Sequence, residues 1–172
     1  MHPYVALLRA VNVGGTGKLP MSELKAMCIA QGFVAVQTYI ASGNVVFSSE
    51  LPKAKVKAAL EKQLHAYAGK AVTVIVRTAQ EMSDLLNANP FTQHPQNRTL
   101  VIFLDEAPPA DAISNARDLK DEQISLGKRE IYVAYGDDMG RSKLKIPAAA
   151  NGTARNMNTV VKLASMLADK DE

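Results

Sequence analysis

Apolar positions along this chain recur with two different periods, and those periods predict its elements. Tyr4 to Ala10 (YVALLRA) is apolar almost throughout and holds no Gly or Pro, which predicts a short buried strand. The segment VNVGGTGKL follows, with three glycines in four positions, and is predicted to be a loop. Pro20 suits the first turn of a helix, where its missing donor does no harm. In that helix Met21, Leu24, Met27, Cys28 and Gln31 share one face, and Gly32 ends it as a left-handed cap. VAVQTY (34–39) and GNVVFS (43–48) are rich in β-branched residues and flank Ile40–Ser42, a hairpin signal. Pro52 opens a second helix with Val56, Leu60, Leu64 and Tyr67 near one stripe, Gly69 stops it, and AVTVIVR (71–77) reads as a fourth strand. The order β-α-β-β-α-β is that of a split βαβ, ferredoxin-like unit.

The second half repeats this order less clearly. Thr78 to Asn89 reads as a connecting helix broken by Pro90, with Asn89-Pro90-Phe91 a helix stop followed by a hydrophobic plug. TLVIFL (99–104) is a strand, Ala110 to Lys120 a helix, and EQISL (122–126) and EIYVAYG (130–136) two more strands. A short helix near Arg141 to Lys145 and a long one from about Ala154 to Ala168 come last, with Thr153 as the N-cap of the latter. The pattern shows no closing strand for this second copy. The expected fold is α+β: two ferredoxin-like subdomains in tandem, residues 1–78 and a degenerate copy over 79–172, with antiparallel or mixed sheets covered by helices.

Composition narrows the class of protein. With 47% hydrophobic and 22% charged residues the chain has the balance of an ordinary globular protein. One cysteine excludes a disulfide scaffold, and three scattered histidines offer little for a metal site, so no metal and no cofactor are expected. No apolar run approaches the roughly 18 residues a membrane span needs, and the opening MHPYVALLRAVNVGG lacks the layout of a signal peptide. A cytoplasmic location without membrane attachment is expected.

Charge is more informative than its sum. The net charge is only +3, yet Met139 to Ala168 contains no acidic residue while Arg141, Lys143, Lys145, Arg155 and Lys162 contribute five positive charges. An internal pattern of ion pairs would explain this, and so would an anion site. On a helix starting at Ala154, Arg155, Asn156 and Asn158 would lie beside free backbone amides, and a bound anion would turn the misplaced cation into an asset. Arg141 and Lys143 would add charge. The glycine-rich loop with Gly14, Gly15 and Lys18 is a second phosphate-cradle setting, although Asn12 and Leu19 break a Walker pattern and Pro20 breaks the dinucleotide fingerprint. Arg9 and Asn12 would face the crevice at the end of the first strand. Cys28 sits on a buried stripe, and neither a nucleophile elbow nor a carboxylate pair presents itself.

Three stretches carry a family resemblance. LLRAVNVGGTGKLPMSELKAM, TYIASGNVVFSS and TARNMNTVVKLASM, with NPF at 89–91 and GRSKL at 140–144, resemble in that order the bacterial family catalogued as domain of unknown function (DUF) 1697. The resemblance implies α/β proteins built from ferredoxin-like subunits and supplies no catalytic residues. The chain departs from the family pattern at Ala10, where glycine is usual, and at Met157, where tryptophan is usual.

The function expected on these grounds is recognition of a phosphate-bearing ligand, a small one such as a nucleotide in preference to a stretch of nucleic acid. An enzyme acting on a phosphorylated metabolite and a protein–protein interaction module are the alternatives. A scarcity of aromatic residues (no Trp, five Tyr, four Phe) disfavours sequence-specific reading of single strands.

Overall fold

The computed structural model describes residues 1–12 and 18–170, and each predicted element of the first half has a counterpart in it. β1 (His2–Leu8), α1 (Met21–Ala30), β2 (Val34–Thr38), β3 (Asn44–Ser49), α2 (Lys53–Ala68) and β4 (Val74–Thr78) follow one another. Their strands form an antiparallel sheet in the order β2-β3-β1-β4. Both helices lay their apolar stripes on one face of it. Leu24, Met27 and Cys28 of α1 and Val56, Leu60 and Leu64 of α2 pack with Tyr4, Ala6, Leu8, Val45 and Phe47. Phe33 stacks on Phe47, ring centroids 4.4 Å apart and ring planes nearly parallel. Gly32 and Gly69 take the positive φ that ends each helix.

β1 stops two residues earlier than the apolar pattern suggests. Ala10 has φ +56°, a left-handed conformation that costs an L-residue about 1–2 kcal/mol and does not continue a strand. This is the position at which the family resemblance expects glycine.

After α3 (Ala79–Asn87), the second sheet comprises β5 (Thr99–Phe103), β6 (Gln123–Leu126), β7 (Glu130–Ala134) and β8 (Thr153–Asn156), and α4 (Met157–Lys170) closes the described chain. Its order, β6-β7-β5-β8, repeats that of the first sheet strand for strand, and every pairing is antiparallel. The protein is therefore α+β, with two four-stranded antiparallel sheets.

Three expectations for this half are corrected. The helix over Ala110–Lys120 does not form. Ser114 turns its hydroxyl onto the Asp111 carbonyl, Asp118 is left-handed at φ +56°, and the Arg117 backbone bonds to Lys145. The short helix near Arg141–Lys145 is a single 3-10 turn, Met139–Arg141, followed by extended chain. The last helix starts at Met157 instead of Ala154, because Thr153–Asn156 is the closing strand, β8, paired with β5.

Packing divides the chain into two compact units, Met1–Ser83 with Leu163 onward, and Asp84–Lys162. The boundary expected after residue 78 lies at the β4–α3 junction, whereas this division falls inside α3 and again inside α4. No helix among the described residues is long and apolar enough to cross a membrane.

Two outcomes test this packing. Ala10→Gly should raise stability to urea by about 0.5–1 kcal/mol by relieving the left-handed alanine, and a loss of stability would contradict the strain. Burial pushes the Cys28 thiol up to about 12, so the folded chain keeps a proton that the unfolded chain releases. That contribution is complete below the unfolded pKa of about 8.5 and is lost as pH rises through 12. The stability advantage of the wild type over Cys28→Ala should therefore shrink between about pH 9 and pH 12, and a constant difference would place the thiol in water.

Candidate functional site

The residues singled out in the sequence divide between the two units. Arg9, Asn12 and Lys18 belong to the first. Gly14 and Gly15 lie outside the described residues, as does the rest of 13–17. Asn12 is a clamp. Its Oδ1 accepts the Leu19 N–H at 2.6 Å, and its Nδ2 donates to the Leu19 and Ala41 carbonyls, both at 2.8 Å. The Asn12 amide thus joins the two flanks of the glycine-rich segment and ties them to the β2–β3 turn. Arg9 is half-buried just beyond β1, and Lys18 is exposed.

Arg141, Lys143, Arg155, Asn156 and Asn158 belong to the second unit. Arg155 is on β8, not on a helix, and is 7% exposed. Its Nη1 donates to Thr153 Oγ1 at 2.7 Å and to the Ala154 carbonyl at 2.9 Å. Burial lowers its pKa to about 10, so it stays charged at neutral pH. Asn156 serves as the cap, its Oδ1 accepting the Thr159 N–H at 2.9 Å. The N-terminus of α4 is therefore occupied by its own side chain. Asn158 is exposed in the first turn.

Register separates Arg155 from the other cations. Arg155 pairs with Val101 and Val101 with Tyr132, so these three share one face of the sheet. Ile102 and Ile131 alternate onto the opposite face, where they pack with Leu144 and Ile146. The cations expected to gather are thus parted by the sheet itself. Arg155 is on one side, and the segment bearing Arg141 and Lys143 covers the other.

That segment has a design of its own. From residue 141 to 146, exposed Arg141, Lys143 and Lys145 alternate with half-buried Ser142, Leu144 and Ile146. Leu144 and Ile146 join the core formed by Leu104, Ile131 and Val133. The Ser142 hydroxyl donates to the buried carboxylate of Glu122, whose other oxygen accepts the Lys120 N–H at 2.7 Å. These hydrogen bonds, Ser142 first, hold the Glu122 carboxyl below the usual carboxylate range. At the far end Lys145 and Arg117 exchange both backbone hydrogen bonds, at 2.8 and 3.0 Å. Residues directly opposite in such a pair project to the same side. Arg117, expected on a helix, instead joins the row of cations beside Lys145.

The ion pairs Lys53–Glu81, Lys57–Glu61 and Arg98–Asp137 involve none of Arg117, Arg141, Lys143 and Lys145. No cluster of three or more His, Cys, Asp or Glu suited to a metal occurs among the described residues. One capping box went unread in the sequence. Thr78 and Glu81 bond reciprocally to each other's backbone N–H at the start of α3, a pattern visible as T-x-x-E.

The sequence model of the family described as "Protein of unknown function (DUF1697)" matches residues 1–132, and the chain belongs to that family. The conserved bacterial protein SP0830 from Streptococcus pneumoniae has a similar structure, with a TM-score of 0.81 and 27% identity over 96% of this chain and 98% of that one. No curated protein matches the chain. The TARNMNT stretch lies beyond the family match, within the half where the structure departs most from the sequence reading.

The Ser142–Glu122 contact makes a prediction. A carboxyl held low stabilises the fold above its unfolded pKa of about 4.3, and that contribution fades as pH falls below it. Ser142→Ala should cost about 1–3 kcal/mol at pH 7 and less at pH 3, read by urea unfolding. An equal cost at both pH values would show that the carboxylate is not the hydroxyl's partner.

Proposed function

We propose that this protein binds a phosphate-bearing ligand through Arg117, Arg141, Lys143 and Lys145, and that the ligand is an extended phosphate chain, the backbone of a nucleic acid. The observation that carries this reading is the alternation. Three exposed cations stand at every second residue, Arg141 at the end of a 3-10 turn and Lys143 and Lys145 on the extended chain after it, and the intervening side chains anchor the segment. At about 3.3 Å per residue of extended chain, Lys143 and Lys145 stand about 6.6 Å apart. Like charges set side by side without carboxylate partners repel one another, and an anion relieves that repulsion.

The form of the row favours a chain over a single nucleotide. The cations lie on an open surface, and none of them lines the cavity described below. Arg155, Asn156 and Asn158 leave the proposed site, because the first is buried across the sheet and the second caps a helix. The enzyme reading has less support. Ser142 and Glu122 form a hydroxyl–carboxylate pair beside the row, but a carboxyl held that low is a poor base at neutral pH.

The test is a titration with a short DNA duplex, with ATP and with inorganic phosphate over a range of KCl concentrations. Four phosphate contacts predict a slope of log K against log salt of about −3.6 for the duplex. Replacing Arg141, Lys143 and Lys145 together by Gln should bring the slope to about −0.9, with the fold intact by circular dichroism. ATP binding as tightly as the duplex, or an unchanged slope in the triple variant, would overturn the proposal.

A further inference from the structure

The Asn89-Pro90-Phe91 motif takes no part in the cationic row, and the structure gives it another role. Phe91, read from the sequence as a plug, is buried, but it walls a cavity of about 240 Å³ instead of filling it. Leu86 from α3 and Met157 and Val161 from α4 complete the apolar lining. We propose that this cavity binds a small, neutral, heteroaromatic molecule.

Volume sets the size. About 30 Å³ per water makes the space equivalent to roughly eight waters, room for one ring or a fused pair but not for a drug-sized ligand. Lining chemistry sets the charge, since no Lys, Arg, Asp or Glu contributes to it. A charged ligand would lose its hydration there with no counter-ion to replace it.

Aromaticity follows from the walls. Phe91 presents a ring, and His94 meets it edge-on with centroids 5.4 Å apart at 85°. Met157 adds a polarisable sulfur, which favours contact with an aromatic ring. The loop is already ordered for this. Asn89 Oδ1 accepts the Phe91 N–H at 2.9 Å, and the His94 N–H donates to the Phe91 carbonyl at 3.0 Å. Thr99 turns its hydroxyl away to the Pro95 carbonyl at 3.0 Å. The Asn89 amino group, the Thr92 hydroxyl, the His94 ring nitrogens and the Gln96 carboxamide are then the polar functions bordering the hollow, opposite the apolar wall of Leu86, Phe91, Met157 and Val161. They suit a ring edge that carries a donor beside an acceptor.

The experiment is an amide chemical-shift titration of the full chain with adenine, uracil and nicotinamide, and with cyclohexanol and benzoate as the aliphatic and charged comparisons. The heteroaromatic probes should shift the amides of residues 86–99 and 157–161, with benzoate and cyclohexanol at least about tenfold weaker, about what one hydrogen bond or a buried charge is worth. His94→Ala should weaken the heteroaromatic probes about tenfold and leave cyclohexanol unchanged. Met157→Trp fills the hollow and should abolish the shifts; should that variant not fold, Val161→Phe at the half-exposed mouth makes the same test. Binding should ignore KCl and survive the Arg141/Lys143/Lys145→Gln variant, which separates this result from the fate of the cationic row. Equal binding of cyclohexanol and the rings, retained affinity in the filled variant, or no shift at about 10 mM probe would each overturn the proposal.

Discussion

The second unit depends on how residues 142–146 are held down. Leu144 and Ile146 enter the apolar face of the second sheet, Ser142 binds the Glu122 carboxylate, and Lys145 pairs through its backbone with Arg117. Burying two aliphatic side chains stabilises by about 1.5–3 kcal/mol each when complete, and less here because both are half-buried. Fixing the even-numbered positions against the core sends the odd-numbered ones to solvent, because extended chain alternates. The exposure of Lys143 and Lys145 is thus a consequence of packing, and their common direction needs no interaction between them; Arg141 stands exposed at the end of the preceding 3-10 turn.

The same segment explains how one sheet plan is built twice with different coverings. In the first unit, α1 and α2 lie on the sheet β2-β3-β1-β4 and bury a continuous cluster. In the second, the strand order recurs, but turns and extended chain stand where those two helices would be. The chain after β7 lays Leu144, Ile146, Ala148 and Ala149 on the sheet in place of a helical stripe. A helix would direct its polar residues over a broad curved face. An extended strap aligns them in a row, and a row is what an extended polyanion can follow.

The first unit was legible because local and tertiary preferences agree there. Pro20 and Pro52 start helices, Gly32 and Gly69 stop them, and the strands alternate or run apolar as their burial demands. The second unit was read poorly where two local signals compete. Thr153 and Asn156 are both good N-cap types three residues apart, and choosing the first converts a strand of four residues into a helical turn. What decides is the pairing of β8 with β5, a contact about fifty positions distant that no window of sequence contains. Arg155 moved with that choice from an exposed helical face to a buried strand position, and the expected convergence of cations went with it. Lys143 is exposed by alternation along an extended strap, and Arg141 stands exposed at the end of the 3-10 turn before it.

The central claim is that Arg117, Arg141, Lys143 and Lys145 form one surface for a chain of phosphates. A crystal structure of the protein with a short oligonucleotide duplex tests it most directly. The account predicts successive backbone phosphates along the strap, with guanidinium and ammonium nitrogens about 2.7–2.9 Å from phosphate oxygens. Nucleic acid seated on another face, with these four side chains turned onto carboxylates of their own chain, would contradict it.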